Sequence, residues 1–122
     1  MNKMRRFLLF LLICSLLLLT AGCQKSNREY LDDIIISLED DSCELIIREW
    51  RFLHGSGAEV YYRCNEKTTL LGRCSGADDG YCPFQAGLYR ISQDGRNVTI
   101  RWYFNTVNNE QIWREKVFQL PF

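Results

Sequence analysis

The chain has 122 residues, 47% of them hydrophobic and 13% aromatic, with 15 basic and 15 acidic side chains. That length supports one domain with a single modest core. The balanced charge excludes a strongly basic nucleic-acid binder, and no block of like charge is long enough to be an interaction tail; Glu39-Asp40-Asp41 reads as a solvated turn.

The first segment in chain order is an export signal. Lys3, Arg5 and Arg6 form a positive n-region, Phe7 to Leu19 is an almost unbroken apolar run, and small residues then precede Cys23. The run is shorter than the roughly 20 residues a membrane span needs, and polar Gln24, Lys25, Ser26 and Asn27 follow at once. The sequence Leu19-Thr20-Ala21-Gly22-Cys23 resembles the lipobox of bacterial lipoproteins, with Thr20 where that pattern favours Leu. The resemblance implies a signal peptide over 1–22, which takes Cys14 with it. It also implies a diacylated Cys23, a tether over 23–27 and a domain over 28–122. It places the protein in the bacterial cell envelope, lipid-anchored to a membrane. With Gln24 rather than Asp after the cysteine, that membrane is the outer one in a Gram-negative host. Removing Lys3, Arg5 and Arg6 from fifteen basic residues leaves twelve against fifteen acidic, a net charge near −3. Nucleic acid is therefore not an expected partner.

Over Arg28 to Glu39, the residues Tyr30, Leu31, Ile34, Ile35 and Leu38 fall on one face of a helix, with Asn27 as its N-cap. The β-branched run Ile34-Ile35-Ile36 offers the alternative of a strand. From Cys43 onward the pattern is strands between turns: Cys43 to Leu53, a turn at His54-Gly55-Ser56-Gly57, Ala58 to Cys64, and Thr68 to Arg73. Asp94-Gly95 reads as a type I′ turn. That register sets Ile91 opposite Val98 and Tyr89 opposite Ile100. It gives a dry face of Tyr89, Ile91, Val98, Ile100, Trp102 and Phe104. Leu88, Arg90, Ser92, Thr99, Arg101 and Tyr103 take the other face. After a turn at Asn108-Asn109 the chain returns over Ile112 to Leu120, with Trp113 facing Phe104 and Val117 facing Ile100. The expected fold is mainly β, an antiparallel meander of about five to seven strands with one N-terminal helix, closed as a small sandwich or a partly closed barrel.

Besides Cys23, four cysteines remain after the signal: Cys43, Cys64, Cys74 and Cys82. An even number in a small exported domain reads as two disulfides, with three connectivities possible. Cys74 and Cys82 bracket a Gly-rich loop, so the preferred pairing is Cys74–Cys82 with Cys43–Cys64. No CxxC pair is present, so no zinc site or other metal site is expected.

No constellation in the sequence carries obvious chemistry, and no cofactor is expected. Ser56 lies two residues from His54 in one short turn, without a GxSxG elbow, so a hydrolase is not indicated. Asp78-Asp79-Gly80 lacks the spaced ligands of a calcium loop. Aromatic residues are the remaining signal. Because neighbours on a strand point to opposite faces, Tyr103 with Arg101 and Arg90 forms a candidate binding patch, with Tyr81 from the preceding loop. Ser75 to Tyr81, with SGxxxxY spacing, is similar to the SGxxY loop of membrane-bound lysozyme inhibitors. That resemblance implies an eight-stranded barrel that plugs a lysozyme cleft; it covers seven residues. The leading expectation is a non-catalytic envelope lipoprotein that binds a protein or an envelope glycan. The alternative is an inhibitor or immunity protein against a hydrolase. A small enzyme ranks third.

Overall fold

The computed structural model describes residues 2–24, 28–76 and 79–121, with side chains in the first stretch described through residue 15. Helix α1 spans Asn2–Gln24. Among the described residues no helix is long and apolar enough to cross a membrane. The side chain of Cys23 and the tether residues 25–27, including Asn27, lie outside the described residues.

Eight strands follow: β1 (Glu29–Tyr30), β2 (Ile34–Ser37), β3 (Cys43–Phe52), β4 (Gly55–Cys64), β5 (Lys67–Ser75), β6 (Tyr89–Asp94), β7 (Asn97–Val107) and β8 (Glu110–Gln119). They form a five-stranded sheet, in which β1 and β2 share one edge of β3 and β4 and β5 follow, and a three-stranded sheet in the order β6-β7-β8. Every pairing is antiparallel. The mainly-β meander is thus as the sequence implies, built as two facing sheets with no closed barrel.

The expected helix over 28–39 is corrected: this segment makes the two short strands β1 and β2, and the one helix among the described residues is α1. Ile34, Ile35 and Ile36 pair with Ile47, Ile46 and Leu45 of β3. Ile34 and Ile36 then pack against the core while Ile35 faces solvent. Three β-branched residues fit a pleated surface better than a helix turn, and the long-range pairing overrides the helical spacing.

Turn geometry sets the registers. Asn65 and Glu66, and likewise Asn108 and Asn109, both take positive φ, the type I′ signature. At the β6–β7 connection only Gly95 does, with φ +59°, so the turn is Gly95-Arg96 with Gly first, the II′ pattern. The expected Asp94-Gly95 register is corrected by two residues: Ile91 pairs with Ile100, Tyr89 with Trp102 and Gln93 with Val98. A slip of two preserves the faces, so Val98, Ile100 and Trp102 still point inward. The β7–β8 pairing is also corrected. A register shift between Tyr103 and Asn105 sets Trp113 opposite Tyr103 and Val117 opposite Thr99. Val117 is thereby exposed, and Phe118, opposite Val98, enters the core. The β3–β4 turn is Leu53-His54, and Gly55 to Gly57 already belong to β4.

The core lies between the sheets: Leu45, Ile47 and Val60 from one, Val98, Ile100 and Phe118 from the other. A Cβ on Gly72 would come within 2.9 Å of the Phe118 ring, so this glycine lets the sheets approach. Trp102 Nε1 donates to the Ser75 carbonyl across the sheets at 2.9 Å, near one end. Near the other end the Glu39 amide donates to Gln93 Oε1 at 2.9 Å. Phe84, on the loop between β5 and β6, packs on Tyr89 and Trp102 and joins the core. That loop is fastened by Glu49, a core-facing carboxylate only 1% exposed, which accepts from the amides of Phe84 (3.1 Å) and Gln85 (2.8 Å).

Candidate binding surface

The patch expected at Tyr103, Arg101, Arg90 and Tyr81 lies on the solvent face of the three-stranded sheet. Arg90 sits directly opposite Arg101, and Arg101 opposite Glu115, so the central strand places its arginine between a like charge and an opposite one. All three side chains are exposed. Two residues further along β7, Tyr103 pairs with Trp113 and their rings meet edge-on at 6.2 Å. Tyr81 also meets Tyr103 edge-on, at 5.5 Å. The loop that carries Tyr81 is pinned by Ser56, whose hydroxyl donates to the Tyr81 carbonyl at 2.6 Å, and by Asp79, which accepts from the Tyr81 amide at 3.0 Å. The Tyr103 hydroxyl hydrogen-bonds Thr106.

Tyr81, Tyr103 and Trp113 therefore form one continuous aromatic run beside an arginine pair. Edge-to-face rings hold each other in place, which lowers the entropy lost when a partner lands on them. Sequence reasoning missed Trp113. Local pattern places it on its strand but facing Phe104, and the one-residue shift in β7 brings it to Tyr103. Phe104 instead carries the Arg114 guanidinium 3.4 Å from its ring centroid.

Two clefts open at the seams between the sheets. The larger, about 560 Å³, runs along β5 and β8 and is lined by Trp50, Ser56, Cys74, Trp102, Arg114 and Lys116. Two of the three cations that line it are engaged: Arg114 donates to Ser75 Oγ at 2.5 Å and Lys116 to the Arg73 carbonyl at 3.0 Å. Burial pushes the Cys74 thiol up to about 12, against a smaller opposing pull from Lys116. It is protonated at neutral pH and is a poor nucleophile. The second cleft, about 440 Å³, lies at the disulfide end beside Leu38, Tyr62 and Leu120.

Cys43 and Cys64 are bonded, directly opposite each other on β3 and β4. The expected Cys74–Cys82 bridge is corrected: both are free thiols. Cys74 points into the core from β5, whereas Cys82 lies near Glu49, Arg51 and Glu29 of β3 and β1. Glu49, Ala58 and Cys74 form one cross-strand row, so β4 stands between the two thiols. Two strand spacings come to about 9.5 Å, beyond the reach of a disulfide.

His54 is exposed in the β3–β4 turn while Ser56 is buried, its hydroxyl committed to Tyr81. Asp78 and Ala77, and with them part of the SGxxxxY loop, lie outside the described residues. Asp40 comes close to the sulfurs of Cys43 and Cys64. Those sulfurs are bonded to each other and offer no thiolate to a metal.

No family model matches the chain, and no curated protein and no solved structure matches it.

Proposed function

We propose that this chain is a non-catalytic lipoprotein of the bacterial cell envelope, held to a membrane through acylated Cys23, and that it binds a protein partner through the Tyr81–Tyr103–Trp113 run and the adjoining Arg90 and Arg101. The observation that carries the reading is that run itself: three aromatic rings in edge contact beside two exposed arginines on an open sheet face. Tyr, Trp and Arg are the residues that dominate binding energy at protein interfaces. The non-catalytic part of the reading is supported by the Ser56 hydroxyl being used to hold a loop and by the Cys74 thiol being held protonated.

The test is a pull-down from detergent-solubilised host envelope, with the lipidated protein as bait and an Arg90→Glu/Tyr103→Ala double variant beside it. One stoichiometric partner is expected, with its recovery lowered at least about tenfold by the double variant. Equal recovery by both baits overturns the assignment of the patch. A hydrolase as the captured protein selects the inhibitor alternative, and a glycan in place of a protein transfers the reading to an envelope polymer.

A further inference from the structure

We infer that the β3–β4 end of the sandwich faces the bilayer, and that Phe52 and Leu53 insert into the membrane to which the chain's own N-terminus is held. The inference rests on the anchored-lipoprotein reading above and adds an orientation and a second contact to it.

The first observation is the composition of the turns. Four two-residue turns join neighbouring strands, and three are polar: Asn65-Glu66, Gly95-Arg96 and Asn108-Asn109. The fourth is Leu53-His54, where Leu53 is 84% exposed and the preceding Phe52 is 42% exposed. A turn needs no leucine for its backbone, and adjacent exposed apolar side chains at a loop tip mark an interaction site.

The second observation is the path of the tether. Glu29 pairs with Arg51 and Tyr30 with Trp50, antiparallel, so the chain read backward from Glu29 runs toward the Phe52 end of β3. Cys23 lies five residues before Arg28, a span of at most about 18 Å when fully extended. Strand β3 covers ten residues from Cys43 to Phe52, about 30 Å. The disulfide end is thus further from Arg28 than the tether can reach, and the Leu53 end is the one nearest the membrane surface.

The third observation is what surrounds the tip. Trp50 and Tyr30 stand opposite each other within three residues of Phe52 in register, and the Arg28 guanidinium lies 4.2 Å from the Trp50 ring centroid. Trp and Tyr with a cation just behind an apolar tip match the interfacial belt of membrane proteins.

The experiment places a photoreactive diazirine side chain at position 53 in one full-length form and at position 66, in the turn at the opposite end, in another. Both are expressed in a bacterial host with labelled palmitate, and lipid adducts are counted by mass spectrometry after irradiation of the envelope. Palmitate labelling with lipid adducts at 53 at least about tenfold above those at 66 is the expected result, the ratio that burying one leucine can sustain. Palmitate labelling without that excess overturns the tip contact and leaves the anchor standing. Protein adducts at 53 in place of lipid overturn it in favour of a protein contact at the tip. The absence of both palmitate and membrane association overturns anchor and tip together.

Discussion

Glu66 holds a backbone conformation that side chains resist. With φ at +65°, it takes the second central position of a type I′ turn, where glycine is preferred. Left-handed geometry costs a residue with a Cβ about 1–2 kcal/mol, which glycine avoids at some cost in unfolded-chain entropy. Glu66→Gly is expected to raise stability by about 1 kcal/mol in urea denaturation. Glu49 works in the opposite direction. Burial raises its carboxyl above the ordinary 4.5, and the amides of Gln85 and Phe84 only partly offset that rise. The folded state therefore binds the proton more tightly than the unfolded chain just above pH 4.5, and the stability contributed by this group falls as pH rises through that window. Glu49→Gln leaves a backbone N–H facing an amide donor, and should cost about 1–3 kcal/mol. Because glutamine does not titrate, that cost should be larger near pH 4 than near pH 7, measurable as a narrowing gap between the two denaturation midpoints. Asp33 contrasts with it: Arg48 holds its carboxyl below the usual range, so the stability it contributes is lost as pH falls.

At the scale of the element, the packing of β3 on β4 depends on one missing side chain. A Cβ on Gly57 would come within 2.5 Å of the Trp50 indole, which covers this glycine on the outer face of the sheet. Gly57→Ala should tilt the indole away, cost about 1–3 kcal/mol and shift tryptophan emission; an unchanged spectrum and midpoint would refute the packing described. Elements with local signals were legible in the sequence. The β3, β4 and β5 strands are marked by apolar stretches between turn residues, and the faces of the β6–β7 hairpin follow from its alternation alone. What local pattern did not carry was the partner. Residues 28–39 carry a helix stripe that local pattern favours over a strand, and the pairing with β3 overrides it. The hairpin register turned on whether Asp94 or Gly95 takes the first left-handed position, which the letters Asp-Gly leave open.

For the molecule as a whole, the Cys43–Cys64 bond closes the loop formed by β3 and β4, with a sequence separation of 21. Loop-closure entropy makes such a crosslink worth about 3 kcal/mol. A Cys43→Ala/Cys64→Ala variant should unfold at correspondingly lower urea, whereas Cys74→Ala should change stability only through lost packing, since its thiol is free. The same scale explains what was readable of the binding surface. Arg90, Arg101 and Tyr103 share a face by strand parity, which sequence supplies. The arrival of Tyr81 depends on a loop pinned by a serine from another strand, and that of Trp113 on an irregularity in β7. Neither has a local signature.

The way the five-stranded sheet ends also bears on crowding. An unbroken strand edge would template pairing from one copy of the chain to the next. One edge is split between β1 and β2, with the intervening Leu31 amide bonded to the Glu49 carbonyl and the Asp32 carbonyl taken by Gln85. At the other edge, Lys116 occupies the Arg73 carbonyl of β5. The split at one border and the Lys116 contact at the other interrupt the rows of donors and acceptors through which one copy of this sheet would pair with the next.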